Sequence, residues 1–184
     1  MTSCGTGMGG PTVAIALEEL AHMGADTFIR VGSCGVFQKG QKPGDVIISS
    51  GCVRGGGTGN GYLPAIFPAV PTFKVLQQLV ASAAELNLPV TVGVGVAHDL
   101  FYSPHADNER NELYKKAGLV SIEMESDTLF LAGMYRGWRT GAIFTSDGTA
   151  DQIKPESGEA DFRKGEMNSI LIALHAMHKI ATGD

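Results

Sequence analysis

The apolar residues of this 184-residue chain fall into short β-branched runs that alternate with longer stretches of helical periodicity. Apolar positions on one helical face predict helices, whereas compact runs of Val, Ile and Phe predict buried strands. Such an alternation is typical of an α/β fold with a mostly parallel or mixed central sheet flanked by helices. The pattern predicts helices at residues 11–23, 73–84, 108–117, 126–135 and 162–180, and strands at residues 27–31, 45–49, 89–96, 119–124 and 140–145.

The start of the chain differs from the rest of this pattern, because no strand precedes the first helix. A glycine-rich loop that opens a helix normally follows a strand of the sheet. We therefore expect residues 1–184 to form a single domain that lacks the N-terminal strands of its fold, with neither a linker nor an internal repeat. The sheet should then keep an unpaired edge and exposed apolar surface. We expect the isolated chain to be inactive, and aggregated or marginally stable unless it assembles.

Composition and charge narrow the classes of function. The chain is 43% hydrophobic and 18% charged, which is typical of a globular protein, and its net charge of −5 argues against a nucleic-acid partner. The sequence shows no secretion signal and no membrane span, so we expect a cytoplasmic protein. The three cysteines Cys4, Cys34 and Cys52 have no paired spacing, and His175 and His178 are too few for a metal site. We expect reduced thiols and no bound metal.

Residues 5–10 (GTGMGG) formally match a dinucleotide-binding glycine loop. That interpretation requires a preceding strand and an acidic residue at the end of the next strand. The next strand ends instead with the cation Arg30, so a dinucleotide site is disfavoured. A tight turn without a ligand remains open.

Residues 30–35 (RVGSCG) are more informative, because ligands of open α/β sheets bind at the carboxyl ends of strands. The fork of Arg30, the hydroxyl of Ser33 and backbone N–H groups such as that of Gly35 could together bind a phosphate. The alternative is a surface arginine followed by a flexible turn.

Two further strand ends carry acids. Glu123 and Glu125 lie two residues apart, so both should point to one side, where carboxylates can accept hydrogen bonds from sugar hydroxyls. Asp147 follows the last strand between Ser146 and Gly148 and could act as a general acid if burial raised its pKa. A solvated strand end and an Asp-Gly turn are the respective alternatives.

Taken in order along the chain, residues 4–11, 30–35, 67–70, 100–104 and 123–126 resemble the purine nucleoside phosphorylase and uridine phosphorylase family. The resemblance implies phosphorolysis of a ribonucleoside to free base and ribose 1-phosphate, with inorganic phosphate as co-substrate and no cofactor. It also implies a homo-oligomer, either a dimer or a hexamer. By the same resemblance, the phosphate would be bound by Arg30, Ser33 and Gly35, the ribose by Met8, Met124 and Glu125, and the base by Phe101, Arg110, Glu123 and Ser146, with Arg30 and Asp147 catalytic.

The base itself is less clearly indicated by the resemblance. Asp147 after Ser146 resembles the purine enzymes, in which such an Asp protonates the purine ring. Residues 151–153 (DQI) are closer to uridine phosphorylases, and Arg110 lies near the position of their Gln-x-Arg pair, although Asn108 replaces the glutamine. This favours uridine narrowly over a purine nucleoside. A nucleosidase that uses water and a non-catalytic member of the fold are the alternatives.

Overall fold

The computed structural model describes residues 1–102, 108–150 and 158–183. All ten predicted elements are present, and a short 3₁₀ helix, Thr58–Gly61, is added after the second strand. The helices are α1 (Gly10–His22), α2 (Phe73–Glu85), α3 (Asn108–Lys116), α4 (Ser126–Arg136) and α5 (Glu159–Thr182). The strands are β1 (Thr27–Val36), β2 (Val46–Gly55), β3 (Thr91–His98), β4 (Ser121–Glu123) and β5 (Arg139–Thr149).

Three strands, β1, β2 and β5, run several residues beyond their predicted ends. The extensions consist largely of glycine and small polar residues, which have low intrinsic strand preference. In β1, residues 32–36 nevertheless pair with β5 in parallel along their whole length. Strand pairing therefore overrides the local preference, and the segment after Arg30 is strand and not a flexible turn.

The five strands form a mixed sheet in the order β1-β4-β3-β2-β5, which closes because β5 also pairs with β1. Strand β1 is parallel to β5, and β3 is parallel to both β2 and β4, whereas β1–β4 and β2–β5 are antiparallel. The predicted mixed sheet is confirmed, but the predicted unpaired edge is wrong. The closure is narrow, since β1 pairs with β4 only through Gly35 and Val36.

Helices cover both surfaces of the sheet. On one side α2 buries Val75, Leu79 and Ala83, which are spaced four residues apart and so lie on one helical face. They pack with buried residues of α5, β2 and β5. On the other side α1 and α4 pack into a second apolar cluster that contains Val13, Leu17 and the segment 129–132. Successive residues of β2 and β5 alternate between the two clusters, as the two-residue period of a strand requires.

The structure gives the environments of the three cysteines and of His175. Cys4 is exposed, Cys34 and Cys52 are buried, and all three are free thiols. On α5, His175 Nδ1 lies 3.1 Å from the hydroxyl of Ser82. The described ranges contain no group of three or more His, Cys, Asp or Glu side chains placed to hold a metal ion. Nor does any described helix have the length and apolar character needed to cross a bilayer.

Candidate active site

Arg30 lies in β1 and points to the α1–α4 side of the sheet, where its guanidinium lies over the ring of Phe144, 5.0 Å from the ring centroid. The side chain folds back across its own strand. A Cβ atom added at Gly32 would lie only 2.6 Å from Arg30 Nη1. A glycine at position 32 therefore leaves the space in which the guanidinium sits, and Phe144 adds a cation–π contact to it.

Glu125 is the principal partner of Arg30. Its carboxylate is 4% exposed and lies immediately before α4. One oxygen, Oε2, accepts a hydrogen bond from Arg30 Nη2, and the other, Oε1, accepts one from the backbone N–H of Gly9 at 2.5 Å. Because a carboxylate has about four acceptor positions, Glu125 can still accept hydrogen bonds from the hydroxyls of a bound sugar.

Glu123 also lies beside Arg30, as Glu125 does, but its hydrogen-bond partners differ from those of Glu125. Its carboxylate accepts hydrogen bonds from the backbone N–H groups of Glu125 and Ser126, at 2.9 and 3.1 Å, and from the Ser126 hydroxyl at 2.6 Å. It therefore satisfies N–H groups at the start of α4 that have no partner within the helix. Arg30 Nη1 lies 3.5 Å away. Burial raises the pKa of Glu123, while the Arg30 charge and these hydrogen bonds oppose the rise.

Asp147 lies in a β-bulge and not in a turn. Strand β5 pairs Ser146 with Cys34 and Gly148 with Gly35, so Asp147 is the extra residue between them. The interpretation of residues 147–148 as an Asp-Gly turn is therefore wrong. The pKa of the Cys34 thiol is raised by burial first and then by the charges of Asp147 and Glu123, whereas Arg30 lowers it. The bulge places Asp147 between the residues of β5 that pair with Cys34 and Gly35 of β1.

The remaining predicted phosphate-site and base-site residues near this bulge belong to the same pair of strands. Ser33 is half-buried and pairs with Thr145, and Gly35 pairs with Gly148. Ser146 is fully buried and its hydroxyl donates to the carbonyl of Gly148 at 3.3 Å. Ser33, Gly35 and Ser146 thus lie on the paired strands that carry Arg30 and Asp147.

The two methionines predicted to contact ribose flank Glu125 in different ways. Met124 precedes Glu125 directly and is half-buried. Met8 is 81% exposed and precedes Gly9, the residue whose N–H binds Glu125. Met8 therefore lies beside the site with most of its surface open to a ligand.

The other residues predicted to contact the base lie on different elements. Phe101 follows β3, is 57% exposed, and packs its ring edge against Tyr102 with the centroids 4.9 Å apart. Arg110 is half-buried on α3. Two parts of the predicted motifs, residues 103–104 and 151–153, lie outside the described residues. The structure thus brings together Arg30, Glu123 and Glu125, and it places Asp147 on the strand paired with that of Arg30. The predicted contacts of Phe101 and Arg110 with a base stay predictions.

Two components of the site were missed from the sequence. The N–H of Gly9 binds Glu125, and the glycine at position 32 leaves room for the Arg30 guanidinium. Both residues belong to glycine-rich segments that the sequence identified, but the function of each depends on a contact made across the fold. The spacing of the glycines alone could not indicate which one binds a carboxylate.

The sequence model of the phosphorylase superfamily matches residues 1–178 of the chain. A guanosine phosphorylase from Halorubrum lacusprofundi is 38% identical over 161 residues, which are 88% of this chain and 66% of the relative. A uridine phosphorylase from Treponema pallidum is 38% identical over 189 residues, covering 97% of this chain and 72% of the relative. A purine nucleoside phosphorylase from Plasmodium falciparum is 37% identical over 180 residues, covering 96% of this chain and 73% of the relative. The chain spans about two thirds to three quarters of the length of these relatives.

Proposed function

The chain belongs to the phosphorylase superfamily, and on that premise we propose that it is a nucleoside phosphorylase that transfers the ribosyl group of a ribonucleoside to inorganic phosphate. The observation that carries the proposal is the placement of Arg30. One nitrogen of its guanidinium, Nη2, binds Glu125. The other, Nη1, has no hydrogen-bond acceptor among the described residues and lies 3.5 Å from Glu123.

This geometry suits a reaction between an anion and a sugar. A phosphate bound against β1 would give the buried Arg30 Nη1 the acceptor that it lacks, with the Ser33 hydroxyl and the Gly35 N–H as further donors. Glu125, held in place by Gly9 and Arg30, accepts from the ribose hydroxyls. Its negative charge beside the sugar also favours the positive charge that develops on the ribose in the transition state.

In the proposed reaction a phosphate oxygen forms a bond to the anomeric carbon of the ribose as the bond from that carbon to the base nitrogen breaks. The bonding electron pair leaves with the base, which a proton donor neutralises. The protein contributes mainly by positioning the two reactants and by stabilising charge. Inorganic phosphate is a co-substrate in this scheme. The absence of a cofactor, a cytoplasmic location and a dimeric or hexameric assembly stay predictions.

For the base, the geometry gives more support to a purine than the sequence did. The narrow preference for uridine rested partly on explaining residues 147–148 as a turn. Asp147 instead lies in the β5 bulge, on the strand paired with the one that carries Arg30, and from there a carboxyl group could protonate a leaving purine. We therefore infer a purine ribonucleoside as the preferred substrate, with uridine as the second candidate because of Arg110. The named relatives include guanosine, uridine and purine nucleoside phosphorylases at 37–38% identity, so their names do not separate the two.

The proposed function is tested by incubating the chain with inosine, guanosine or uridine, each with and without phosphate, and identifying the products. Phosphate-dependent formation of free base and ribose 1-phosphate is the expected result. Free ribose formed without phosphate would indicate a nucleosidase. No product from any of the three nucleosides, from a folded protein, would indicate a non-catalytic member of the superfamily.

Two variants then separate the candidate bases. Under the purine interpretation Asp147→Asn should lower the rate on inosine by about 10²–10⁴-fold, the usual range for acid–base catalysis, and Arg110→Ala should have little effect. Under the uridine interpretation Arg110→Ala should abolish uridine cleavage, because the pyrimidine carbonyl would lose its donor. Each variant serves as the control for the other.

A further inference from the structure

Asp127 is a buried carboxylate that the proposed reaction does not use. It lies two residues after Glu125 in the first turn of α4 and is 1% exposed. Its Oδ1 accepts hydrogen bonds from the backbone N–H of Thr128 at 2.5 Å and from the Thr128 hydroxyl at 3.2 Å. Its Oδ2 accepts a hydrogen bond at 3.1 Å from the backbone N–H of Gly56, just beyond the end of β2. Asp127 thus joins the start of α4 to the glycine loop that follows β2.

This glycine loop, residues 55–57, is held by two carboxylates. Asp99 Oδ2, at the end of β3, accepts a hydrogen bond from the N–H of Gly57 at 2.7 Å. A Cβ atom added at Gly56 would lie 2.9 Å from both Asp127 Oδ2 and Asp99 Oδ1. Burial raises the pKa of Asp127, and the charge of Asp99 adds to the rise, while the N–H donors oppose it. The backbone of the loop therefore fits between two acids that its own amides help to stabilise.

The loop and α4 in turn support the start of α1. A Cβ atom added at Gly10 would lie 2.5 Å from the Thr128 hydroxyl and 2.9 Å from the Thr58 hydroxyl. Thr58 follows the glycine loop directly, and Thr128 is bound by Asp127. Gly9, the residue before Gly10, donates to Glu125. Asp127 thus binds Thr128 directly and also binds the loop that leads into Thr58. Both threonine side chains lie close to Gly10, the neighbour of the residue whose N–H binds Glu125.

We propose that Asp127 is a positioning residue, which fixes the glycine loop and Thr128 so that the start of α1 keeps the Gly9 N–H on the Glu125 carboxylate. Only an acid fulfils this role, because both oxygens accept from backbone N–H groups. An asparagine would turn its own NH₂ group toward either Gly56 or Thr128, where it would meet another donor. The effect on turnover rests on the proposed function, whereas the effect on the Gly9 hydrogen bond does not.

The direct test measures hydrogen exchange of the Gly9 and Gly56 amides by NMR of ¹⁵N-glycine-labelled protein. Relative to the amides of the core, Asp127→Asn should accelerate exchange at Gly9 by about tenfold, the scale of one charged hydrogen bond. Glu125→Gln should do the same, and the double variant should add little to either single one. Asp161→Asn makes the same chemical change on an exposed residue in the first turn of α5 and is the matched control, since it should leave the Gly9 ratio unchanged.

If Asp127→Asn accelerates exchange at Gly56 but leaves Gly9 unchanged, the proposal is overturned. Should Asp127→Asn fail to fold, Asp99→Asn loosens the same loop from its exposed side and must also accelerate Gly9. An unchanged Gly9 in that variant would equally overturn the proposal. None of these measurements requires turnover, so an inactive chain would count against the proposed function and not against the role of Asp127.

Turnover supplies a second readout. Asp127→Asn should lower kcat/KM for a ribonucleoside more than for its 2′-deoxy analogue, because it acts through the group that accepts from the sugar hydroxyls. This difference should vanish in a Glu125→Gln background, where that group is already impaired. Equal losses on the two substrates would show that Asp127 supports only the general stability of the fold.

Discussion

The two sides of the central sheet differ in the charged side chains that they bury. On the α2–α5 side, the cluster around Val75, Leu79 and Ile143 is formed by apolar side chains packed without a buried ion pair among them. On the α1–α4 side, an apolar cluster of similar construction surrounds Arg30 and Glu125. Adjacent residues of one strand, Ile143 and Phe144, belong to the two different sides.

This difference between the two sides indicates which residues stabilise the fold and which are suited to binding a ligand. Burial of apolar side chains stabilises the fold on both sides. Charges removed from water are costly unless they are paired and hydrogen-bonded, and each carboxylate near Arg30 has such partners. We therefore expect substitutions on the α2–α5 side to change stability mainly, and substitutions around Arg30 to change ligand binding mainly.

The largest expected effect is a loss of stability on the α2–α5 side. Leu79 is fully buried, so Leu79→Ala should lower the free energy of unfolding by about 2–5 kcal/mol, measured by urea denaturation. Turnover per folded molecule should not change. Leu171→Ala, on an α5 residue that is 46% exposed, is the control and should change stability by less than about 0.5 kcal/mol. A loss of phosphate affinity in Leu79→Ala would mean that the two sides are coupled.

The next largest expected effect is weaker phosphate binding when Arg30 is replaced. Arg30→Lys keeps the charge but loses the planar fork. It should weaken phosphate binding by about 1.5–3 kcal/mol, the scale of a charged hydrogen bond, in a calorimetric titration. Arg163→Lys, on the exposed surface of α5, should leave phosphate affinity unchanged. Unaltered affinity in a folded Arg30→Lys protein would remove Arg30 from the phosphate site.

The two sides should also respond to pH with opposite signs. Because burial raises the pKa of Glu123, the folded protein retains a proton at pH values where the unfolded chain has lost it. This contribution to stability is lost as the pH rises from about 4.5 through the folded pKa. The pKa of Glu85, on the α2–α5 side, is lowered by its hydrogen bond from Lys179, so its contribution is lost as the pH falls.

Thermal unfolding between pH 4 and pH 7 tests this contrast. Relative to the unmodified protein, Glu123→Gln should make stability rise more, or fall less, as the pH increases. Glu85→Gln should do the reverse, by a smaller amount because Glu85 is exposed to solvent screening. Changes of the same sign in both variants would contradict the assignment.

The smallest expected effect is the loss of a buried hydroxyl that has no hydrogen bond, and a buried hydroxyl that is hydrogen-bonded provides the comparison. Ser121 is fully buried, and its Oγ has no hydrogen-bond partner among the described residues. Ser121→Ala should therefore be neutral or slightly stabilising, because no hydrogen bond is lost. Ser169→Ala removes a hydroxyl bonded to Thr145 at 2.9 Å and should cost about 1–3 kcal/mol. Equal melting temperatures for the two variants would contradict this contrast.

The sequence predicted much of the fold, since apolar periodicity located the five α-helices and five strands of the described residues. By resemblance it also assigned Arg30 and the two glutamates to one ligand site, and in the structure the Arg30 side chain contacts both of them. Closure of the sheet was missed, since Gly35 and Val36 pair with a strand far along the chain. The bulge at Asp147 was missed for a related reason. Asp-Gly has a strong local preference for turns, and only the pairing with β1 shows that it forms a bulge.

The path of Arg30 over Gly32 has a consequence for interpreting other chains of this superfamily. A methyl group at position 32 would meet the far end of the Arg30 side chain at 2.6–2.9 Å and displace it, while the backbone could remain as it is. Such a chain would fold and would still carry every charged residue of the site. A comparison that counts only those charged residues would not detect the change, although the guanidinium would be displaced from its place over Phe144 and beside Glu125. In this case the position of a charged side chain depends on a residue that has no side chain.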